Sequence, residues 1–163
     1  MKKAVLIGAL LITTYAQAEE TSIVYTAVQN GIKTCKTDLK RTADFIIKGI
    51  THSTHSSWNK KDSDNRMYAT LTSKSYSDRD AHVTVIAAPT PAGKCDTTYV
   101  ETFAMPKSCM TVREEVFKGW VYKGTMNSKT LVLENSMEGT VNVYLSPQGD
   151  NICLVSKREV IYP

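Results

Sequence analysis

The chain is 163 residues long with a formal net charge of +4, a length that suits one ordinary domain with its own core. Its lysines and arginines are interleaved with Asp and Glu rather than gathered in a stripe, which argues against a nucleic-acid binder. No phosphate-binding loop, GxSxG, HExxH or CxxC is present, so the sequence offers no catalytic signature and implies no cofactor.

Residues 1–18 read as a cleaved secretory signal. Lys2 and Lys3 give a positive start, Ala4 to Tyr15 form an apolar run, and Ala16 and Ala18 are the small residues before a cut ahead of Glu19. The run is about a dozen residues, short of the roughly 20 that span a bilayer, so no stable membrane anchor is expected after cleavage. The signal removes two lysines and no acid, and part of the basicity goes with it. Residues 19–163 are expected to form a single disulfide-stapled domain, periplasmic or secreted.

Glu19 to Asn30 fits either a frayed leader or an early helical turn. From Gly31 the apolar residues Ile32, Cys35, Leu39, Ala43, Ile46 and Ile50 recur at steps of three and four, with Phe45 and Ile47 widening the stripe. That spacing predicts one long amphipathic helix fading near residues 49–51.

The stretch "HSTHSSWNKKDSDN", His52 to Asn65, is rich in turn-forming residues and reads as a solvated loop. The period then becomes two. Met67–Tyr76 and His82–Ala88 predict a hairpin, and Thr97–Met105 a third strand closed by Pro106. Thr111 and Glu114 fit a capping box opening a short helix that ends near Gly119. "KTLVLEN", "TVNVYLS" and "NICLVSK" follow as three more strands, and Trp120 to Tyr122 begin an extended piece.

The predicted fold is therefore α+β. It has a mainly antiparallel sheet of five or six strands, one long N-terminal helix and one short central helix, in the order α-β-β-β-α-β-β-β. A β-sandwich or partial barrel is the alternative.

All four cysteines, Cys35, Cys95, Cys109 and Cys153, lie after the signal, and an even count in an exported chain implies two disulfides. Three pairings are open. Cys35–Cys95 with Cys109–Cys153 is preferred, because Cys35 and Cys109 each open a helical segment while Cys95 and Cys153 each flank a third strand.

Candidate functional residues are sparse. Trp58, Lys60, Lys61, Tyr68 and Tyr76 form a candidate partner-binding set, since aromatics dominate protein contacts. The competing reading has Trp58 folded back over the first helix. His52 and His55 would share a face only if the helix ran through them, and with His82 they are the sole basis for a metal or hydrolase reading. No catalytic or metal-ligating residue is assigned. The functional expectation is an exported, non-catalytic binding protein with another protein as partner, such as an inhibitor or immunity-type cap for an envelope-directed toxin or hydrolase. The alternative is a module holding a small molecule or lipid between helix and sheet.

Overall fold

The computed structural model describes residues 20–162 except 136, 138 and 139; the predicted signal lies outside the described residues. Three helices and eight strands follow in chain order: α1 (Ser22–Gln29), α2 (Lys36–Ile47), β1 (His52–Ser57), β2 (Tyr68–Ser75), β3 (Asp80–Pro89), β4 (Cys95–Met105), α3 (Cys109–Glu115), β5 (Val121–Met126), β6 (Thr130–Glu134), β7 (Asn142–Pro147) and β8 (Cys153–Ile161). The strands form one open antiparallel sheet in the order β1-β2-β3-β4-β8-β7-β6-β5. The class is α+β as expected. The strand count is higher than expected, and among the described residues there is no long N-terminal helix.

The helical stripe is real from Cys35 to Ile47, where Cys35, Leu39, Ala43, Ile46 and Ile47 are buried. It does not start at Gly31. Gly31 takes φ +80°, with Ser63 Oγ 3.0 Å from where a β-carbon would stand, so the chain turns there. The ambiguous segment before it is α1, capped by Thr21, which accepts from the Val24 amide. α2 ends at Lys48, left-handed at φ 51°, followed by Gly49. In α3 the cap is Ser108, whose hydroxyl accepts from the Thr111 amide, rather than Thr111 itself.

The predicted loop contains β1. Its six residues carry Ser, Thr and His in place of an apolar alternation, yet they pair fully with β2 from His52↔Lys74 to Ser57↔Ala69. β5 is the other edge strand, with a register shift between Tyr122 and Gly124.

The sheet order reads as the same meander twice, running inward from each edge to meet at β4 and β8. Each half opens with a disulfide from a helix N-terminus to the start of its fourth strand. Cys35 is bonded to Cys95 and Cys109 to Cys153, the preferred pairing, with sequence separations of 60 and 44. Equating Cys95 with Cys153 puts an approximate two-fold axis through the Val100↔Arg158 pair at the sheet centre.

Strand alternation sends one set of side chains under the helices. Tyr68, Val83, Val85, Ala87 and Tyr99 pack with α1 and α2 in the N-terminal core, with Phe45 and Trp58 against its side. Leu133, Val143, Leu145 and Val155 pack with Val112 of α3 and Phe117 in the C-terminal core. Tyr99, Phe103 and Met105 have the same parity on β4, so both cores lie on one face of one sheet. Both disulfides lie in these cores, and no described cysteine is free. They place the chain in an oxidising, extracytoplasmic compartment. Among the described residues no helix is long and apolar enough to cross a membrane.

Candidate functional site

The aromatic and basic residues singled out in the sequence do not form one patch. Trp58 is half-buried and packs against the N-terminal core, while Lys60 and Lys61 are exposed just beyond it. Tyr68 is wholly buried, and its hydroxyl lies 2.8 Å from Thr26 Oγ1 and donates to the Ile23 carbonyl at 3.2 Å. Burial raises its pKa, against hydrogen bonds from Thr26 and Ser56 that lower it. It is a core residue and is corrected as a surface anchor. Tyr76 shares its side of the sheet and is half-buried at the end of β2.

The segment between β1 and β2 is anchored rather than floppy. Asp64 Oδ1 accepts from the Lys33 and Thr34 amides at 2.6 and 2.7 Å, and Oδ2 from the Thr34 hydroxyl at 3.1 Å. Burial alone would raise the Asp64 pKa, but the hydrogen bonds from Thr34 and Lys33 together outweigh it and hold the carboxyl below its ordinary value. Asn59 Oδ1 accepts from the Lys61 and Asp62 amides, a local turn that shapes the tip.

The histidines are dispersed. On a strand, residues three apart face opposite ways, so His52 and His55 cannot act jointly. His52 Nε2 accepts from the Ser22 amide at 3.1 Å, which makes its Nδ1 the donor to the Ile50 carbonyl at 2.7 Å. This neutral ring ties α1 to β1. His55 and His82 are exposed on the opposite face, two strands apart and out of register, since His55 pairs with Leu71 and His82 with Ser73.

That opposite face is the most distinctive surface. No described helix covers it, and none of its residues on β2, β3, β4, β7 or β8 is buried. One cross-strand row runs His55, Leu71, Thr84, Val100, Arg158 and Asn142. The next runs Ser73, His82, Thr102, Ser156, Tyr144 and Val132. Arg158, on the approximate two-fold axis, is the one charged residue in these rows. On the other side of the molecule Lys36, Lys40, Arg41, Asp44 and Lys48 line the exposed flank of α2. Within these two rows Leu71 is the most exposed apolar residue, at 48%, and Met126 of edge strand β5, at 52%, faces the same side.

Between the two cores lies a polar seam that sequence reasoning missed. Lys74, 3% exposed, donates to Glu101 Oε1 at 2.8 Å and to the Ile46 carbonyl at 2.6 Å. Tyr76 donates its hydroxyl to the same Glu101 oxygen at 2.9 Å, and the Lys74 ammonium lies 5.0 Å from the Tyr76 ring centroid. Burial raises the Tyr76 pKa; the Lys74 hydrogen bond and charge oppose this, while those of Glu101 add to it. The signal was parity. Lys74 follows Tyr68, Thr70 and Thr72 on the inward side of β2, and Glu101 follows Thr97 and Tyr99 on β4.

No protein-family model matches the chain, no curated protein is significantly similar to it, and no solved structure matches it.

Proposed function

We propose that this is an exported, non-catalytic protein that grips another protein through the helix-free face of its sheet. In the periplasm that role suits an inhibitor or immunity-type cap for an envelope-directed toxin or hydrolase. The observation that carries the reading is the one-sided sheet. A broad face, poor in charge, with Tyr144 and Arg158 in its central rows among small Ser, Thr and Val side chains, offers the low charge of an interface centre and two side chains of the anchor type. Two disulfides and paired strands hold it rigid, so little conformational entropy is lost on docking. The proposed contact set replaces the one read from sequence: Leu71, Thr84, Val100, Tyr144 and Arg158 in place of Trp58, Lys60, Lys61, Tyr68 and Tyr76. Nucleic acid is not a proposed partner, because the face holds a single cation in its central rows.

Photo-crosslinking separates this from other surfaces. A benzophenone side chain at Thr84 should capture one discrete envelope protein, and Leu71→Arg should abolish the capture. The same probe at Lys40, on the outer side of α2, should capture none. Equal capture from both positions, or capture that survives Leu71→Arg, would rule out the open face as the contact.

A further inference from the structure

The helix side of the sheet holds a cleft of about 360 Å³ where the polar seam meets α3. Phe103, Met105, Val116 and Phe117 form its apolar wall, and Glu101 of the seam opens onto it. We propose that this cleft binds a small neutral molecule with an apolar body and a single hydroxyl, which donates to Glu101 Oε2. The inference is independent of the open face, which lies on the other side of the sheet.

The wall selects the body. The volume is at the low end of small-molecule pockets, which span roughly 300–1,000 Å³, and such pockets combine an apolar lining with a few placed polar groups. Val116 is 48% exposed at the end of α3, so apolar surface is left at the mouth that a ligand would cover. A bulky polar ligand would leave Phe103 and Phe117 without a matching contact.

The charges exclude a charged head group, because each already has a partner. Lys74 donates to Glu101 Oε1. Arg79 is paired with Asp78 at 2.6 Å, and its guanidinium lies 5.4 Å from the Phe103 ring centroid. The Lys157 ammonium lies 5.3 Å from the Phe45 ring centroid. A ligand anion would have to break one of these contacts and would meet the Glu101 carboxylate besides. A ligand cation would enter beside Arg79 and Lys157.

One acceptor is left over. Glu101 Oε1 takes both the Lys74 ammonium and the Tyr76 hydroxyl, whereas Oε2 takes no hydrogen bond from any described residue. Glu101 is 7% exposed, and Oε2 is not among the polar atoms sealed off from the surface, so its opening is the cleft that the residue lines. A wholly apolar ligand covering Glu101 would strip that oxygen of water and give nothing in return, which is costly for a charged group. A hydroxyl replaces the water with a charge-assisted bond at no cost in ligand charge.

The molecule carries its own reporter. Trp120 packs edge-on to Phe117 with ring centroids 5.2 Å apart. The other tryptophan, Trp58, packs against the N-terminal core. In the oxidised Trp58→Phe protein, 1-octanol should shift Trp120 emission saturably, with calorimetry giving the same midpoint. Its isomer 1-methoxyheptane, which cannot donate, should bind about tenfold more weakly, as expected for losing one hydrogen bond to a charged acceptor. Octanoate should bind more weakly than octanol by at least the same factor. Val116→Trp, at an exposed position, should block octanol by calorimetry. Absence of saturable octanol binding overturns the proposal. So does equal or tighter binding of the ether or of octanoate, or undiminished octanol binding in a folded Val116→Trp protein.

Discussion

The N-terminal half of the sheet lies under two helices, α1 and α2, whereas the C-terminal half has only the seven-residue α3. The halves share strand order, connection pattern and disulfide position, so the difference in cover isolates what a helix contributes. Under α1, the inward residues of edge strand β1 are half-buried and bonded, with Thr54 Oγ1 within 2.8 Å of both Ser22 Oγ and Thr72 Oγ1. At the other edge the inward Tyr122 of β5, opposite the buried Leu133, has only the Arg113 side chain of α3 over its ring and stays 47% exposed. A short helix stapled by a disulfide covers the middle of a four-stranded meander but not its rim. The C-terminal half should therefore lean more heavily on its bridge.

Removing each bridge tests that. Loop-closure entropy for separations of 60 and 44 residues assigns each disulfide about 4 kcal/mol. Paired Cys→Ser changes should cost similar totals but differ in form. Without Cys109–Cys153, calorimetry should resolve a separate, earlier transition for the C-terminal half. Without Cys35–Cys95, the two-helix core should keep a single transition at lower temperature. Identical thermograms would show that the two halves do not differ in the way their cover implies.

The seam between the halves gives the next largest effect. Glu101→Leu strands the buried Lys74 ammonium and removes the acceptor of Tyr76, and should cost about 3 kcal/mol, since breaking a buried pair leaves an unmatched charge. Lys74→Met should cost a similar amount by exposing the converse defect. The double variant should be more stable than either single one, because the desolvation penalty disappears with both charges. Urea midpoints for the four proteins read this directly, and strictly additive losses would mean that Lys74 and Glu101 do not act as a pair.

The same contrast explains what the sequence made legible. β3, β4, β6, β7 and β8 were visible because apolar residues alternate along them and bury on one side. β2 was visible by its period of two, although Ala69 and Leu71 face the open side and Tyr68, Thr70, Thr72 and Lys74 are the buried set. β1 was not, because its inward positions hold His52, Thr54 and Ser56, which gain hydrogen bonds where other strands bury apolar area. β5 was visible only at its start, because its side chains are mostly exposed and Gly124 breaks the alternation at a bulge. The long helix was overread because Ile32 is buried without being helical and so extended the stripe of α2 backward past a turn. Disulfide pairing followed from the repeated position of cysteine at helix start and strand start. The open face was illegible for a different reason. Period-two patterning says which residues point apart, and only the placement of all three helices on one side says which set is left uncovered.

The smallest expected effect lies in the N-terminal half and concerns the segment that the sequence presents as loose. If Asp64 anchors residues 59–65 to the turn before α2, Asp64→Ala should cost about 1 kcal/mol, the typical net value of a hydrogen bond and a modest one for a partly exposed acceptor. The pH dependence has a definite sign. The folded-state pKa lies below the unfolded value, so ionised Asp64 contributes fully above the ordinary carboxylate range. Its contribution fades as pH falls through the folded pKa. The stability gap between wild type and Asp64→Ala should be largest near neutrality and should close on acidification below about pH 4. A gap that widens in acid would require Asp64 to be protonated in the fold. That is incompatible with a carboxylate receiving two backbone amides and a hydroxyl, and the segment would then have to be held by something other than this anchor.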